Sequence, residues 1–169
     1  YNCAVRQRLM PPVEGLFSEV LSKNEIPNSV LTRLADADLS AYPHFEFDRD
    51  MFLLTVYLGN ISYLDLAYLR KSDFKDTRIL QYFSYKMNRK IEIRLSADAL
   101  SIIQKYSALH TDSCYLLPIF DKHYNSSDSL EEKYRKAFRS YNRHLTQIGR
   151  VLDIRDILSF SSFSVSTMS

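Results

Sequence analysis

The stretch from Arg49 to Phe74 reads RDMFLLTVYLGNISYLDLAYLRKSDF. Between Met51 and Leu58 only Thr55 is polar. A helix that is apolar on every face belongs in the middle of a domain rather than on its surface. Gly59-Asn60 supplies the stop, because both residues tolerate the left-handed conformation that closes a helix. Ser62-Tyr63-Leu64-Asp65 reads as a capping box, with the hydroxyl and the carboxylate satisfying orphan backbone donors. A second, short helix is therefore expected from about Ser62, carrying Leu64, Ala67, Tyr68 and Leu69, followed by a polar exit at Arg70-Lys71-Ser72-Asp73.

Outward from this centre, Pro27 suits a helix start. Val30, Leu31, Leu34 and Leu39 form an apolar stripe behind it, and Ser40 to Glu46, with Pro43, is expected to be a loop. On the other side, Arg78 to Leu95 reads as a β-hairpin. Ile79 to Tyr85 is rich in strand formers, Met87-Asn88 makes the turn, and Ile91-Glu92-Ile93-Arg94-Leu95 alternates apolar with polar. Ser96 caps a helix bearing Leu100, Ile102, Ile103 and Tyr106, and Tyr115-Leu116-Leu117-Pro118-Ile119 is a short apolar segment stopped by proline. Asp121 to Ser129 is turn-rich.

The longest helix is expected from about Ser129 to Leu152. Leu130, Tyr134, Phe138, Tyr141, Leu145, Ile148 and Leu152 recur three or four apart, and Asp128 or Ser129 with Glu131 or Glu132 offers a second capping box. The fold class is thus α+β, mainly helical, with a helical core and a small antiparallel sheet at its edge.

The 169 residues suffice for one domain with a sizeable core. A hydrophobic share of 46% and a charged share of 25% are ordinary for a soluble globular protein. No apolar run approaches the ~20 residues of a membrane-spanning helix, and Tyr1 to Met10 lacks the apolar segment of a signal peptide. Cys3 and Cys114 suggest neither a disulfide framework nor a zinc site, so the expected setting is reduced and cytoplasmic. His44, His110, His123 and His144 have no metal-ligand spacing, and Gly15, Gly59 and Gly149 are too scattered for a phosphate loop. No cofactor and no metal are expected. A net charge of +2 permits a nucleic-acid partner without demanding one.

The RDMF opening, the turn before SYLDLAYL, the KSDF exit into a hairpin and the YLLP segment resemble the catalytic domain of tyrosine recombinases, the integrases of phages and conjugative transposons. The resemblance extends over most of the chain. It implies residues 1–10 as the end of a preceding DNA-clamping helix, 11–25 as a linker, and 26–169 as an integrase-like catalytic domain truncated at its C-terminus. It also implies DNA binding, integration and recombination of a mobile element.

Such enzymes attack a phosphate with a tyrosine while two arginines hold the phosphoryl oxygens and a hairpin lysine protonates the leaving oxygen. Fixed cations are needed where charge concentrates in the transition state. By this resemblance Lys86 falls at the lysine position, as a general acid, and Asp65 at an acidic position that orients other site residues. A solvated hairpin lysine and a helix cap are the bland readings of the same two residues. The first arginine position falls on Ser62, or on Gly59 in an alternative register, and the second Arg-His pair on Ser164 and Val165. None supplies a cation. Arg49 reads as a helix-start salt bridge more readily than as a substitute for a lost arginine. Tyr141, the last tyrosine, sits on the apolar stripe and reads as core, and no nucleophile is expected. The resemblance therefore implies a catalytically incomplete domain.

Duplex DNA, held by its backbone, is the expected partner, with self-association on DNA. The expected contacts are Lys71, Arg78, Lys86, Arg89, Lys90, Arg94, Arg139 and Arg143. Lys75, Lys133, Arg135 and Lys136 add to these cations, set against Asp73, Asp76 and Glu92. Ordinary solvating charge is the competing reading. A second hypothesis of another class is a helical protein-interaction module using a tyrosine-rich surface, since twelve tyrosines is a high count and tyrosine favours interfaces.

Overall fold

The computed structural model describes residues 26–76, 78–109, 113–121 and 127–154. These form five α-helices and a three-stranded antiparallel sheet, an α+β arrangement that is mostly helical. In chain order they are α1 (Asn28–Asp36), α2 (Pro43–Tyr57), α3 (Tyr63–Ala67), a 3-10 turn (Lys71–Asp73), β1 (Phe74–Asp76), β2 (Ile79–Ser84), β3 (Arg89–Arg94), α4 (Ala97–Ser107) and α5 (Leu130–Leu152).

Helix α2 is the centre. Met51, Phe52, Leu53 and Leu54 are all buried, and α1, α4 and α5 pack around it. It begins at Pro43, inside the segment expected to be a loop. Proline is well placed at a first helical position, where its missing N–H has no partner to lose. The helix ends as expected: Gly59 and Asn60 both take positive φ, 76° and 64°.

Helix α3 is shorter than expected and closes before Tyr68, yet every residue from Ile61 to Leu69 is buried. Only half of the anticipated capping box forms. Ser62 Oγ accepts from Asp65 N at 3.0 Å, while the Asp65 carboxylate turns to a partner far along the chain.

Strands β2 and β3 pair in register from Ile79↔Arg94 to Ser84↔Arg89, the expected hairpin, with Asn88 at φ 55° in its turn. Leu80, Tyr82 and Ser84 point into the core, and the intervening Gln81 and Phe83 point out. The short β1 adds a third strand on the free side of β2, unexpected from the polar KSDF exit. The Tyr115 segment is stitched to the exit of α3, with Lys71 N donating to Cys114 O and Leu116 N to Leu69 O.

Helix α5 carries Ser129 and Glu132 as a reciprocal box and buries Tyr134, Phe138, Tyr141, Leu145 and Ile148. Tyr63 of α3 stacks on Tyr141 at 4.1 Å and meets Phe138 and Tyr134. Tyr63, Tyr68, Tyr82, Tyr106, Tyr115, Tyr134 and Tyr141 are all buried, and Tyr42 alone among the described tyrosines is well exposed. Most of the described tyrosines therefore belong to the core.

Cys3 lies outside the described residues. No described helix is long and apolar enough to cross a membrane.

Candidate functional site: the hairpin and its carboxylate clamp

Asp65 sits on the short helix α3 and is almost wholly buried, 4% exposed. Its carboxylate receives Ser84 Oγ at 2.7 Å and the backbone N–H of Tyr85 at 2.8 Å. Ser84 Oγ in turn accepts from Met87 N at 3.0 Å. Asp65 thus holds both sides of the turn in which Lys86 lies, and the Lys86 backbone N–H also favours its ionised form. Burial nevertheless wins: desolvation raises the Asp65 pKa above the ordinary carboxylate value, with the bonds from Ser84, Tyr85, Ser62 and Lys86 pulling the other way.

Lys86 and Asp65, named from sequence, are therefore brought together, though Asp65 grips the backbone beside Lys86. Next to Lys86, burial pushes the Tyr85 phenol up to about 12, so it stays neutral near pH 7. Tyr85 packs edge-on against Tyr68 and Phe83, with centroids 6.0 and 5.4 Å away.

The cations expected to meet DNA fall into two groups. Arg78, Arg89, Lys90 and Arg94 are exposed on or beside the hairpin, with Lys71 in the 3-10 turn that leads to the sheet. Lys90 and Arg94 share the outer face of the sheet with Gln81 and Phe83, and Gln81 Nε2 donates to Glu92 at 2.6 Å. Arg139 and Arg143 lie exposed on α5, a separate element. Two further α5 cations are engaged locally, Arg135 with Glu131 at 3.4 Å and Lys136 with Asp128 at 2.7 Å.

Of the positions that the resemblance assigns to arginines, Ser62 is buried as the α3 cap and Gly59 occupies the left-handed turn. Ser164 and Val165 lie outside the described residues. Arg49 does not sit at a helix start. From the middle of α2 its Nη1 donates to Leu34 O at 2.6 Å and Ala37 O at 3.0 Å, closing the C-terminal carbonyls of α1, while Nε meets Asp50 at 2.7 Å. Tyr141 is core, its phenol pushed far up by burial.

Two clusters escaped the sequence reading. Asp50 is buried and accepts from Arg49 Nε, Lys105 Nζ at 2.9 Å and Tyr106 Oη at 2.5 Å. Asp48 meets His144 Nδ1 at 2.5 Å, and His44 stacks on the same ring, so α2 and α5 share a polar seam. Apart from the adjacent Arg49–Asp50 pair, these contacts join residues 55 or more apart in sequence, and no local spacing signals them. No group of three His, Cys, Asp or Glu that could hold a metal occurs among the described residues.

Comparison with known proteins finds no matching family model, no matching curated protein and no matching solved structure.

Proposed function

We propose that this chain is a DNA-binding domain of the tyrosine recombinase type, serving integration or recombination of a mobile element, and that it cannot cut DNA by itself. The observation that carries the binding half is the sheet. Arg78, Arg89, Lys90 and Arg94 stand in solvent on or beside one hairpin, with Glu92 the one acidic residue on its two strands. Solvated cations gathered about one hairpin suit phosphate contacts, which hold a duplex without reading its sequence.

What supports the second half is the placement of the residues that would have to act. Lys86, held in its turn by the Asp65 clamp, can serve as a proton donor to a leaving oxygen. In this reading Asp65 is a positioning residue. Ser62 and Gly59 offer no cation at the first arginine position. Arg49 is anchored to Leu34, Ala37 and Asp50 inside the α1–α2 contact. A phosphoryl transition state without its fixed cations lacks what an arginine contributes elsewhere, about 10³–10⁵ in rate.

Two assays test this. Titration of a 20-base-pair duplex by fluorescence anisotropy should show binding that weakens steeply with salt. Incubation with supercoiled DNA and with a nicked suicide site should leave no covalent adduct on a denaturing gel. Adduct formation would overturn the inactive reading, and salt-insensitive or absent binding would overturn the DNA reading.

A further inference from the structure

The outer face of the sheet carries more than cations. Phe83 is 39% exposed near the C-terminal end of β2, although a core lies directly on the other side of the strand. It faces Lys90 across the hairpin, with Gln81, Glu92 and Arg94 further along the same face, the Glu92 carboxylate accepting from Gln81 at 2.6 Å. Tyr85 meets Phe83 edge-on at 5.4 Å, a geometry that holds the ring up rather than letting it fold along the strand. Met87, 55% exposed, follows in the turn at the same end.

An aromatic ring standing beside cations on an exposed sheet is the arrangement that unpaired bases use. The cations follow the phosphates and the ring receives a base face, which a base-paired duplex does not present. The cationic excess on β2 and β3 complements a polyanion. The choice of DNA over RNA follows from the proposed function.

From the shared exposure of Phe83, Lys90 and Arg94 on one sheet face, we propose that this face binds single-stranded DNA, stacking one base on Phe83. The inference rests on the DNA reading above and refines it: the same hairpin that holds duplex phosphates would hold a melted or nicked strand more specifically.

The test uses the full chain, an oligothymidylate 20-mer, an oligouridylate 20-mer and a 20-base-pair duplex at ~50 mM salt, where phosphate contacts are strong. Phe83→Ala should weaken oligothymidylate binding by about 5- to 150-fold, the range expected for one lost base–aromatic stack, and leave duplex affinity within about two-fold. Phe83→Trp should restore strand binding. The chain has no tryptophan, so that side chain is also its own reporter, and its emission should be quenched when the oligothymidylate is added. Leu109→Ser, at an exposed apolar position just beyond the C-terminus of α4, should change nothing.

Unchanged strand binding in Phe83→Ala, with duplex binding intact, overturns this inference alone. Equal loss on strand and duplex overturns the stacking role. Oligouridylate bound as tightly as oligothymidylate overturns the choice of DNA. Phe83-dependent strand binding without any duplex binding would instead sink the proposed function and leave this site standing.

Discussion

Helix α2 buries three consecutive charged residues, Asp48, Arg49 and Asp50, whereas strand β3 holds Arg89, Lys90, Glu92 and Arg94 in solvent. The same side-chain chemistry has opposite employment in the two places. On α2 each charge meets an internal partner: His144 for Asp48, the α1 carbonyls for Arg49, and Lys105 with Tyr106 for Asp50. Burying a charge without such a partner would be expensive, so these groups are fixed as structure. On β3 the cations stay hydrated and cost the fold little, which leaves them available to an incoming phosphate. Asp65 stands between the two regimes, buried like α2 but holding the turn of the hairpin.

The largest effect should come from breaking the buried side of this contrast. Asp50→Ala strips Arg49 of its carboxylate inside the fold, and urea melts should show a loss of about 3–5 kcal/mol, with duplex affinity of the folded fraction unchanged. A loss below about 1 kcal/mol would mean that the cluster is solvated after all. Asp65→Ala comes next, at about 1–3 kcal/mol, because Ser84 Oγ and Tyr85 N–H lose their acceptor. Asp65→Asn keeps an oxygen there and should lose less. In a hydrogen-exchange measurement the Tyr85–Asn88 turn should open in the alanine variant and stay protected in the asparagine one.

On the exposed side, Lys90→Ala combined with Arg94→Ala should leave stability within about 0.5 kcal/mol. It should also lower the magnitude of the salt slope for duplex binding by about 1.8. Destabilisation instead would show that these cations belong to the fold.

The smallest effect is one of pH. Burial raises the folded Asp65 pKa above its ordinary 3.8, so the folded state holds the proton more tightly than the unfolded chain. Its contribution is then complete below 3.8 and is lost as pH rises through the folded value. Lowering the pH from 7 to 4 should therefore shift the stability difference between wild type and Asp65→Asn in favour of wild type. A shift the other way would mean that the hydrogen bonds outweigh burial.

Much of this fold is legible in the chain. The unbroken three-and-four spacing from Leu130 to Leu152 and its reciprocal Ser129–Glu132 cap specify α5, and strand-forming residues around Met87-Asn88 specify the hairpin. Pro43 misleads, because proline marks loops and helix starts alike. Strand β1 is three residues long and polar, too short for a periodic signal. Arg49 reads as a helix-start salt bridge, and Asp48 and Asp50 give no signal, because the distant partners of this triplet come from α1, α4 and α5, which only the folded chain assembles. Asp65 shows the same limit: its cap to Ser62 is local and visible, but its grip on Ser84 and Tyr85 spans about twenty residues and is not. At the candidate site, Lys86 and the sheet cations could be named from the sequence. The exposure of Phe83 among them required the register of β2 against β3.

The most direct measurement is the slope of log affinity against log salt for the unmodified chain on a 20-base-pair duplex. If Arg78, Arg89, Lys90 and Arg94 each meet a phosphate, the slope should be about −3.6, or roughly 150-fold weaker binding between ~50 and ~200 mM salt. A slope near zero would show that cations exposed on the sheet do not serve DNA.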